Sequence, residues 1–391
     1  MQRRPKSFSL VSGSQAMKAW AAVLGTVLLA SVTAAAQPAP RVLGTTTIAP
    51  PADSMLPYPQ PRNRIAVLAD GSAGVVLVSR GEEGGKTVEL LRFDRAGSLT
   101  GRSEIAAGDG DDLNTTGPWV VGEELAVVTP VGAARSEKGV LLRVAADGRA
   151  VRREAIHDPH YAPAALREQN YFDFNTVAAA RDGTLLVAGS YGPGPGAWWW
   201  ALYAANGTRL AEGGERDGKG PTVVVAAHAD PAGGFALLVE ELDPKTWTTA
   251  LWLHRYDARG MRTAHHRLAS GSPSALFDGE APVVFDGTSE ATRILFFDRA
   301  GRPTRTIDWR GGLPSKAVLD VRGFTFLVDQ GGDQKNGVRS RIVRLDRNGH
   351  LLWQSAADFF IDVARGADGT VWALAGGADP ARATVRRFAD P

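Results

Sequence analysis

One phrase recurs six times along this chain, and no other feature of the sequence restricts the fold as strongly. Its first copy reads LLRFDRAGSLTG, and the copies begin at Leu90, Leu141, Trp200, Leu253, Ile294 and Ile342. Each copy has an apolar run, a glycine seven residues after its start, and a second strand-like run. Glycine supplies the positive φ that a tight hairpin turn requires. Each copy therefore predicts a β-hairpin.

A second hairpin pattern lies between these copies. It occurs seven times, beginning at Ile65, Trp119, Thr176, Val223, Ser274, Ala317 and Ile361. One unit is thus strand, turn, strand, loop, strand, turn, strand, and the repeated glycines lie 41 to 59 residues apart. Four short strands at this spacing indicate one sheet per blade of a β-propeller. We therefore predict an all-β, seven-bladed β-propeller with four-stranded antiparallel blades.

The seventh blade is one strand short, because the sequence ends at ATVRRFADP, which matches a third strand. A strand-like segment without a blade of its own, residues 41–49, precedes the first unit. An open sheet edge exposes backbone donors and acceptors, so we expect residues 41–49 to pair with residues 384–388 and close the ring. The alternative is an N-terminal tail outside the ring.

The N-terminus has the pattern of a secretory signal peptide. A lysine follows Met17, residues 19–32 are apolar, and three alanines end at Ala36. The apolar run is shorter than the roughly 20 residues of a membrane helix, so we expect cleavage before Gln37 rather than an uncleaved anchor. Residues 1–16 are then an upstream extension, and residues 37–391 are a single propeller domain that is periplasmic or secreted.

Charge and cysteine content restrict the partners of this domain. Residues 1–36 contain four basic and no acidic residues, which leaves 40 basic against 42 acidic residues in the mature chain. The chain has no run of basic residues that could bind along a phosphate backbone, so nucleic acid is not an expected partner. The chain has no cysteine, so neither disulfides nor thiolate chemistry is available.

The phrases DGTLLVAG, YAANGTRL and DGTVWALAG resemble the propeller repeats of secreted bacterial proteins, near the PQQ-like and WD40-like groups. The resemblance covers residues 41–391 and implies the architecture alone. The Trp-Asp and Gly-His signatures of WD40 blades are missing, and LDRNGHLLW is only remotely similar to the tryptophan-docking phrase of PQQ enzymes. We therefore transfer no catalytic residue from either group and expect no cofactor.

Polar residues precede or begin several inner strands, on the face where propellers usually bind ligands. If the register is correct, they surround the mouth of the central channel and could bind a small molecule or peptide; the alternative is a solvated rim. These residues are Arg64, Asn114, Tyr171, Asp173, Asn175, Lys219, Lys316 and Asp358.

The most distinctive loop is GPGPGAWWWAL, which begins at Gly192. Alternate residues of a strand point to opposite faces, so the three indoles cannot all point the same way. An exposed Trp198 would suit a sugar ring, an aromatic ligand or a protein hot spot, and Trp247 lies in the equivalent loop of the next blade. The alternative is packing between blades.

Potential metal ligands occur in two loops. His157, Asp158 and His160 lie close together, but two histidines at this spacing are fewer than the three or four ligands that a metal requires. The second loop, residues 109–114, is acidic, and calcium binding there stays an open possibility although the EF-hand spacing is absent. That loop contains Asp109, Asp111, Asp112 and Asn114. His265 and His266 point to opposite faces of a strand. The nucleophile phrase Gly-x-Ser-x-Gly is missing. We therefore predict neither a metal site nor a catalytic residue.

These observations favour an exported propeller that acts as a binding or protein-interaction module. Its partner is an unidentified protein, peptide or carbohydrate, and no membrane span remains after processing. One alternative is an enzyme with its active site at the channel mouth, such as a lyase or a quinone-dependent oxidoreductase. Another is a structural component of a cell-envelope complex.

Overall fold

The computed structural model describes residues from Pro38 onward, with several gaps. Met1–Gln37 and Pro38–Pro391 are separate units, and only the second contains described residues. The described residues are 38–49, 54–55, 65–81, 85–109, 116–130, 138–145, 151–157, 171–180, 182–192, 197–215, 220–230, 233–271, 274–288, 290–333, 337–376 and 382–391.

All regular secondary structure within these ranges is β-strand. Among the described residues there is also no apolar helix of the length that a bilayer crossing requires. The strands, numbered in chain order, are β1 Arg41–Ile48, β2 Ser54–Met55, β3 Ile65–Val67, β4 Ala73–Gly81, β5 Gly85–Phe93, β6 Leu99–Asp109, β7 Thr116–Val121, β8 Glu124–Pro130, β9 Lys138–Ala145, β10 Val151–His157, β11 Tyr171–Ala179, β12 Leu185–Gly192, β13 Trp198–Tyr203, β14 Arg209–Glu215, β15 Thr222–Ala229, β16 Phe235–Leu242, β17 Thr249–Tyr256, β18 Arg262–Ser270, β19 Ser274–Asp278, β20 Ala281–Gly287, β21 Thr292–Phe297, β22 Pro303–Trp309, β23 Pro314–Asp320, β24 Gly323–Asp333, β25 Gly337–Asp346, β26 Leu351–Gln354, β27 Phe360–Arg365, β28 Val371–Gly376 and β29 Ala383–Ala389.

The strands form seven antiparallel sheets, which confirms the predicted seven-bladed propeller. Blade 1 contains β2–β6, blade 2 β7–β10, blade 3 β11–β14, blade 4 β15–β18, blade 5 β19–β22, blade 6 β23–β26, and blade 7 β27–β29 with β1. The inner strands β3, β7, β11, β15, β19, β23 and β27 each contact those of both neighbouring blades, and β27 lies next to β3. The ring is therefore closed.

The outer strand of blade 7 comes from the opposite end of the domain, as the count of strands predicts. β1 pairs antiparallel with β29, in a register that places Arg41 opposite Ala389. Ile48 is buried in the cluster shared with blade 1. The Thr46 hydroxyl donates to the Gly97 carbonyl of blade 1 at 2.7 Å. β1 therefore completes one blade and contacts the next.

The inner edge of blade 1 is made of two short strands, which the sequence pattern does not reveal. β3 pairs with the beginning of β4, with Ile65 opposite Val75. β2 pairs with the end of β4, with Ser54 opposite Gly81. The same edge of β4 is thus covered in two pieces.

The repeated phrase forms the turn between the third and fourth strands of a blade. In blade 1 the Gly97 N–H donates to the Asp94 carbonyl at 2.9 Å, and Gly97 has φ of 87°. Asp94 Oδ1 accepts a hydrogen bond from Ser98 N–H at 2.8 Å. The positive φ recurs at Gly207, Gly260, Gly301 and Gly349, and a register shift adjoins each turn. A three-residue hairpin loop with a glycine bulge has this geometry.

The hydrophobic core lies between blades. The buried apolar side chains form seven clusters, and each cluster joins one pair of neighbouring blades. The boundary between blades 7 and 1, for example, contains Trp372 from one blade and Phe93 from the other, with ring centroids 6.4 Å apart. Burial is thus distributed around the ring, as stacked β-sheets require.

An arginine on the third strand links several blades to the next blade. It donates to a carbonyl in the turn between the third and fourth strands of that blade. We call one face of the propeller the turn face, because it carries the turns between the first and second strands and between the third and fourth strands of each blade. The opposite face is the loop face. The donor and acceptor pairs of these linking arginines are Arg143 and Ala205, Arg255 and Arg299, and Arg387 and Ala96.

Candidate functional site

Half of the predicted channel-mouth and tryptophan-loop residues have no described side-chain environment. Arg64, Asn114 and Lys219 lie outside the described residues. Tyr171 and Asp173 lie in β11, opposite Gly192 and Ser190 of β12. Of the potential metal ligands, Asp109 ends β6 and His157 ends β10. Asp111, Asp112, Asp158 and His160 lie outside the described residues. The calcium and channel-mouth hypotheses therefore stay predictions at these positions.

Two of the predicted polar residues link neighbouring inner strands. Asn175 Oδ1 accepts hydrogen bonds from Ser190 Oγ at 2.8 Å and from Val224 N–H of blade 4 at 3.4 Å. Lys316 Nζ of blade 6 lies 3.3 Å from Asp362 Oδ1 of blade 7. Both side chains are thus engaged in contacts that hold the ring together.

Asp358 also makes contacts within the protein. Asp358 Oδ2 lies 2.6 Å from a guanidinium nitrogen of Arg386, and the Asp358 backbone forms a bridge with Ser340 of blade 6. Asp362, the partner of Lys316, accepts the Ile65 N–H of blade 1 at 3.0 Å. Asn175 therefore lies at the boundary between blades 3 and 4, whereas Lys316 and Asp358 both lie at the boundary between blades 6 and 7.

All three tryptophans of the triplet are buried. Trp198 and Trp200 are 3% exposed and belong to the cluster between blades 3 and 4, while Trp199 is 0% exposed and faces blade 2. The alternation along the strand is as predicted, and none of the three indoles is exposed. The packing alternative is correct here because each sheet face is covered by a neighbouring blade. The exposed indole is Trp247, at 77%.

A cleft of about 340 Å³ opens between blades 3 and 4, and Trp198 forms part of its wall. Most of the lining comes from one face of the blade 4 sheet and from the loop between β16 and β17. The lining residues are Trp198, Val239, Glu241, Asp243, Thr248, Ala250, Trp252, His254, His265 and Arg267. The cleft therefore combines aromatic rings with charged groups.

Four rings form a continuous row along this cleft. Trp252 and His265 have ring centroids 4.5 Å apart, and His265 stacks on His254 at 4.6 Å. His254 in turn lies 4.7 Å from Trp198. We call these four residues the aromatic row. It spans both walls, because Trp198 belongs to blade 3 and the others to blade 4.

Hydrogen bonds fix the base of the aromatic row. The Trp198 indole N–H donates to Tyr256 Oη at 3.4 Å, and the Tyr256 hydroxyl donates to Glu215 Oε1 at 2.8 Å. Glu215 is also ion-paired with Arg262 and lies 4.0 Å from His254 Nδ1. Burial, together with the Glu215 carboxylate, raises the pKa of Tyr256 far above its ordinary value, so the phenol remains a donor.

The loop that borders the cleft holds Trp247 outward. The Asp243 N–H donates to the Thr248 carbonyl at 2.8 Å, and the Trp247 N–H donates to the Asp243 carbonyl at 2.8 Å. Asp243 Oδ1 accepts the N–H groups of Lys245 and Thr246 at 2.8 and 3.2 Å. Trp247 has φ of 55°, which is uncommon for a side chain of this size. Such strain persists where surrounding bonds determine the loop, and it concentrates at functional sites.

Sequence reasoning did not predict this cleft, although it named Trp198, which lines the cleft, and Trp247, which lies in the loop that borders it. Trp252 and His254 alternate along β17, and that spacing of ring-bearing residues was the available signal. His265 faces the cleft beside His254, whereas His266 lies opposite Leu253, as the alternation predicts. Within the described ranges, no three His, Asp or Glu side chains are grouped closely enough to hold a metal ion.

Comparisons with known proteins identify the fold. No protein-family model matches the chain, and no curated protein does. Among solved structures, the β-propeller domain of the trilobed protease from Pyrococcus furiosus is 10% identical with a TM-score of 0.50. The match covers 87% of this chain and 94% of that one. At this identity the similarity shows the propeller fold alone.

Acylaminoacyl peptidases also match. One in complex with Z-Gly-Gly-Phe-chloromethyl ketone is 10% identical with a TM-score of 0.50, over 82% of this chain and 49% of that chain. The uncomplexed Pyrococcus horikoshii enzyme is 11% identical with a TM-score of 0.49, and the match covers 82% of this chain and 49% of that one. This chain therefore spans about half the length of those peptidases.

Proposed function

We propose that this protein is an exported, non-catalytic binding module whose ligand occupies the cleft between blades 3 and 4. The observation that carries this proposal is the aromatic row beside a rigid loop that exposes Trp247. Ligand sites in proteins are concave, mainly apolar and aromatic, and contain a few placed polar groups. The cleft combines the aromatic row and two aliphatic side chains with four further polar residues, which are Glu241, Asp243, Thr248 and Arg267.

The size of the cleft indicates what enters it. Its volume of about 340 Å³ is near the lower end for ligand pockets, which suits one side chain or one small ring system. Trp247, however, is exposed on the bordering loop and extends the apolar surface beyond the cleft. A ligand that uses both features is longer than the cleft itself. We therefore favour an extended peptide of a partner protein, with one side chain in the cleft.

Tryptophan and arginine dominate the binding energy of protein interfaces, which supports a peptide over other polymers. The backbone that carries Trp247 is ordered before binding by the hydrogen bonds of its loop, so little backbone conformational entropy is lost when a partner covers it. An oligosaccharide is the principal alternative occupant, and the experiment below includes it as an outcome.

The test is to screen the purified protein against a displayed peptide library and a glycan array. Hits are then measured by titration calorimetry with Trp247→Ala, Trp252→Ala and Met261→Ala variants. Met261 is the matched control, because it is also exposed but lies in the β17–β18 turn on the opposite face of the same blade. We expect peptide hits whose affinity falls about 30-fold in each tryptophan variant, as for a hot spot of about 2 kcal/mol, and is unchanged in Met261→Ala.

If glycans bind and their affinity falls in the tryptophan variants, the cleft is the binding site but its ligand is an oligosaccharide and not a peptide. Peptide hits that bind all three variants equally would show that the cleft is not the binding site. Conversion of a bound ligand into a product would replace the binding proposal with an enzymatic function.

A further inference from the structure

The boundary between blades 6 and 7 contains two buried guanidinium groups. Arg344 lies on the third strand of blade 6 with its side chain 0% exposed, and Arg365 ends the inner strand of blade 7 with its side chain 2% exposed. Both are ion-paired with Asp320, Arg344 through Nη2 at 3.1 Å and Arg365 through Nε. One carboxylate thus serves two buried cations.

Many donors at this boundary have no acceptor. Among the described residues, none accepts a hydrogen bond from Arg344 Nε or Nη1, or from Arg365 Nη1 or Nη2. Thr325 Oγ1, on the strand position opposite Arg344, is also buried without a hydrogen-bond partner in that set. A buried donor without an acceptor is costly, and more so when it is charged.

The topology of the ring explains why Arg344 Nε and Nη1 lack an acceptor, although Nη2 donates to Asp320. It occupies the strand position of the linking arginines, which donate to the turn between third and fourth strands of the next blade. Blade 7 takes its outer strand from β1, so no turn joins its third and fourth strands. Arg344 therefore has no such carbonyl to reach. Arg255 does, and it donates to Arg299 O and Glu280 O, both at 2.5 Å.

Several charged groups act on Arg365. Arg322, Arg344 and Arg365 contribute three positive charges, and Asp320 and Asp390 contribute two negative ones. Asp390 Oδ1 already accepts the indole N–H of Trp353 at 2.7 Å. Burial, and then the adjacent Arg344, lower the pKa of Arg365, but a guanidinium remains protonated in proteins. The buried guanidiniums of Arg344 and Arg365 thus share one ion-paired carboxylate, that of Asp320.

We propose that the boundary between blades 6 and 7 binds a small monovalent anion of the chloride type, held by Arg344, Arg365 and Thr325. An anion accepts several N–H bonds at once and offsets the charge of the second guanidinium that shares Asp320, whereas a water molecule contributes only the acceptor. The ligand takes the place of the turn that blade 7 lacks. This site is on the turn face and is independent of the cleft.

The experiment uses the mature protein at constant ionic strength, with sodium gluconate replaced stepwise by sodium chloride or bromide. Binding to the folded state raises Tm with halide concentration, and we expect a rise of a few degrees that saturates. Crystals grown in bromide should show an anomalous peak in contact with both guanidiniums. An Arg365→Met variant should lose the halide dependence of Tm, while Arg255→Met, whose donors have carbonyl acceptors, should keep it.

The bromide crystal of the wild-type protein tests for a bound anion even if Arg365→Met does not fold. Water density without anomalous signal at this boundary, or a Tm that is the same in gluconate and halide, would overturn the proposal. A halide dependence that survives in Arg365→Met would place the bound anion elsewhere.

Discussion

Single residues in this propeller are constrained mainly by the blade that faces them. Trp200 shows this clearly, because its ring packs on Phe235 and Tyr256 of blade 4 with centroid distances of 4.7 and 5.7 Å. The ring also occupies space beside Gly213 on the neighbouring strand, where a Cβ would lie 1.9 Å from Trp200 Cζ2. The absence of a side chain at position 213 is thus a condition for burying this tryptophan.

Adding a methyl group at this position should therefore be costly. Gly213→Ala forces the indole away from blade 4, and we expect the free energy of unfolding to fall by about 1–3 kcal/mol, as for other overpacked cores. Urea unfolding followed by circular dichroism measures it. Gly44→Ala in β1 is the control, since no atom lies within 4 Å of a Cβ there. Equal stability of the two variants would contradict the packing argument.

His228 gives the protein a pH dependence at the scale of one residue. It lies on the inner strand of blade 4, and its ring centroid is 5.7 Å from that of Phe277. Burial lowers its pKa below 6.5, against the opposing effect of the Glu280 and Asp230 carboxylates. The unfolded chain therefore binds the proton more readily than the folded one, and stability falls as pH decreases below 6.5.

Replacing His228 by Phe removes this titration and keeps a ring against Phe277. We expect the variant to lose less stability than the wild type between pH 6.5 and 5, measured as urea midpoints at several pH values. His266→Phe, at an exposed position of β18, should retain the wild-type slope. A wild-type slope in the His228→Phe protein would assign the pH dependence to other groups.

At the scale of elements, the recurring unit is a hairpin whose turn is contacted by an arginine of the preceding blade. Blade 5 shows that the contact can be supplied differently. Phe296 occupies the arginine position, and Arg305 from the adjacent strand donates instead to Arg347 O at 2.8 Å. The Arg305 guanidinium lies 4.1 Å above the Phe296 ring. The acceptor in the turn is thus reached from either of two strands.

Loss of one such link should weaken the boundary that it spans. Arg143→Met removes the donation from Nη1 to Ala205 O at 2.9 Å and the pairing of Nε with Glu124 at 2.6 Å. We expect destabilisation of about 1–3 kcal/mol, because a partly buried carbonyl and a carboxylate lose their donors. Chemical unfolding measures this, with the exposed Arg259→Met as control. Unchanged stability would show that the link is only incidental.

The sequence predicts the strands and turns but not the side-chain contacts between blades. The glycines at 97, 207, 260, 301 and 349 determine turns locally, because positive φ is a property of the residue itself, and those hairpins are where the pattern places them. The cleft depends on which rings of β17 and β18 come to face Trp198 of another blade. That is a long-range relation, and one sequence contains no signal of it beyond the alternation of Trp252 and His254.

At the scale of the whole molecule, both ends of the described domain meet in blade 7. The strand count predicted this closure, and the register of β1 with β29 confirms it. β2 was missed because a two-residue strand shows no alternation. The closing strand is held by its ladder and by buried Ile48, so its contribution to stability can be tested directly.

Deleting residues 41–49 should expose the edge of β29 and the cluster between blades 7 and 1. We expect the melting temperature to fall by several degrees, or the protein to aggregate through the open edge. Differential scanning calorimetry and light scattering detect the two results. A protein that begins at Gln37 and retains the strand is the control. A deletion variant that stays monomeric with unchanged melting would refute the role of β1.

Export remains a prediction from the N-terminal sequence. If residues 1–36 are a signal peptide with an upstream extension, the intact mass of the exported protein should correspond to a chain that starts at Gln37, within a few residues. Mass spectrometry of the periplasmic and culture fractions tests this. A mature chain that still carries the apolar residues 19–32 would identify a membrane anchor instead.

Closure by β1 also sets the order of events during synthesis. Among the described strands, β1 is the first to leave the ribosome and its partner β29 is the last, and Ile65 must likewise wait for Asp362, 297 residues later. At translation rates of about 5–20 residues per second, β1 spends about 20 to 70 seconds without the strand that it pairs with. The threonines of this segment keep it less apolar during that interval than a core strand would be. The seam between blades 7 and 1 is thus the last boundary that a nascent chain can complete.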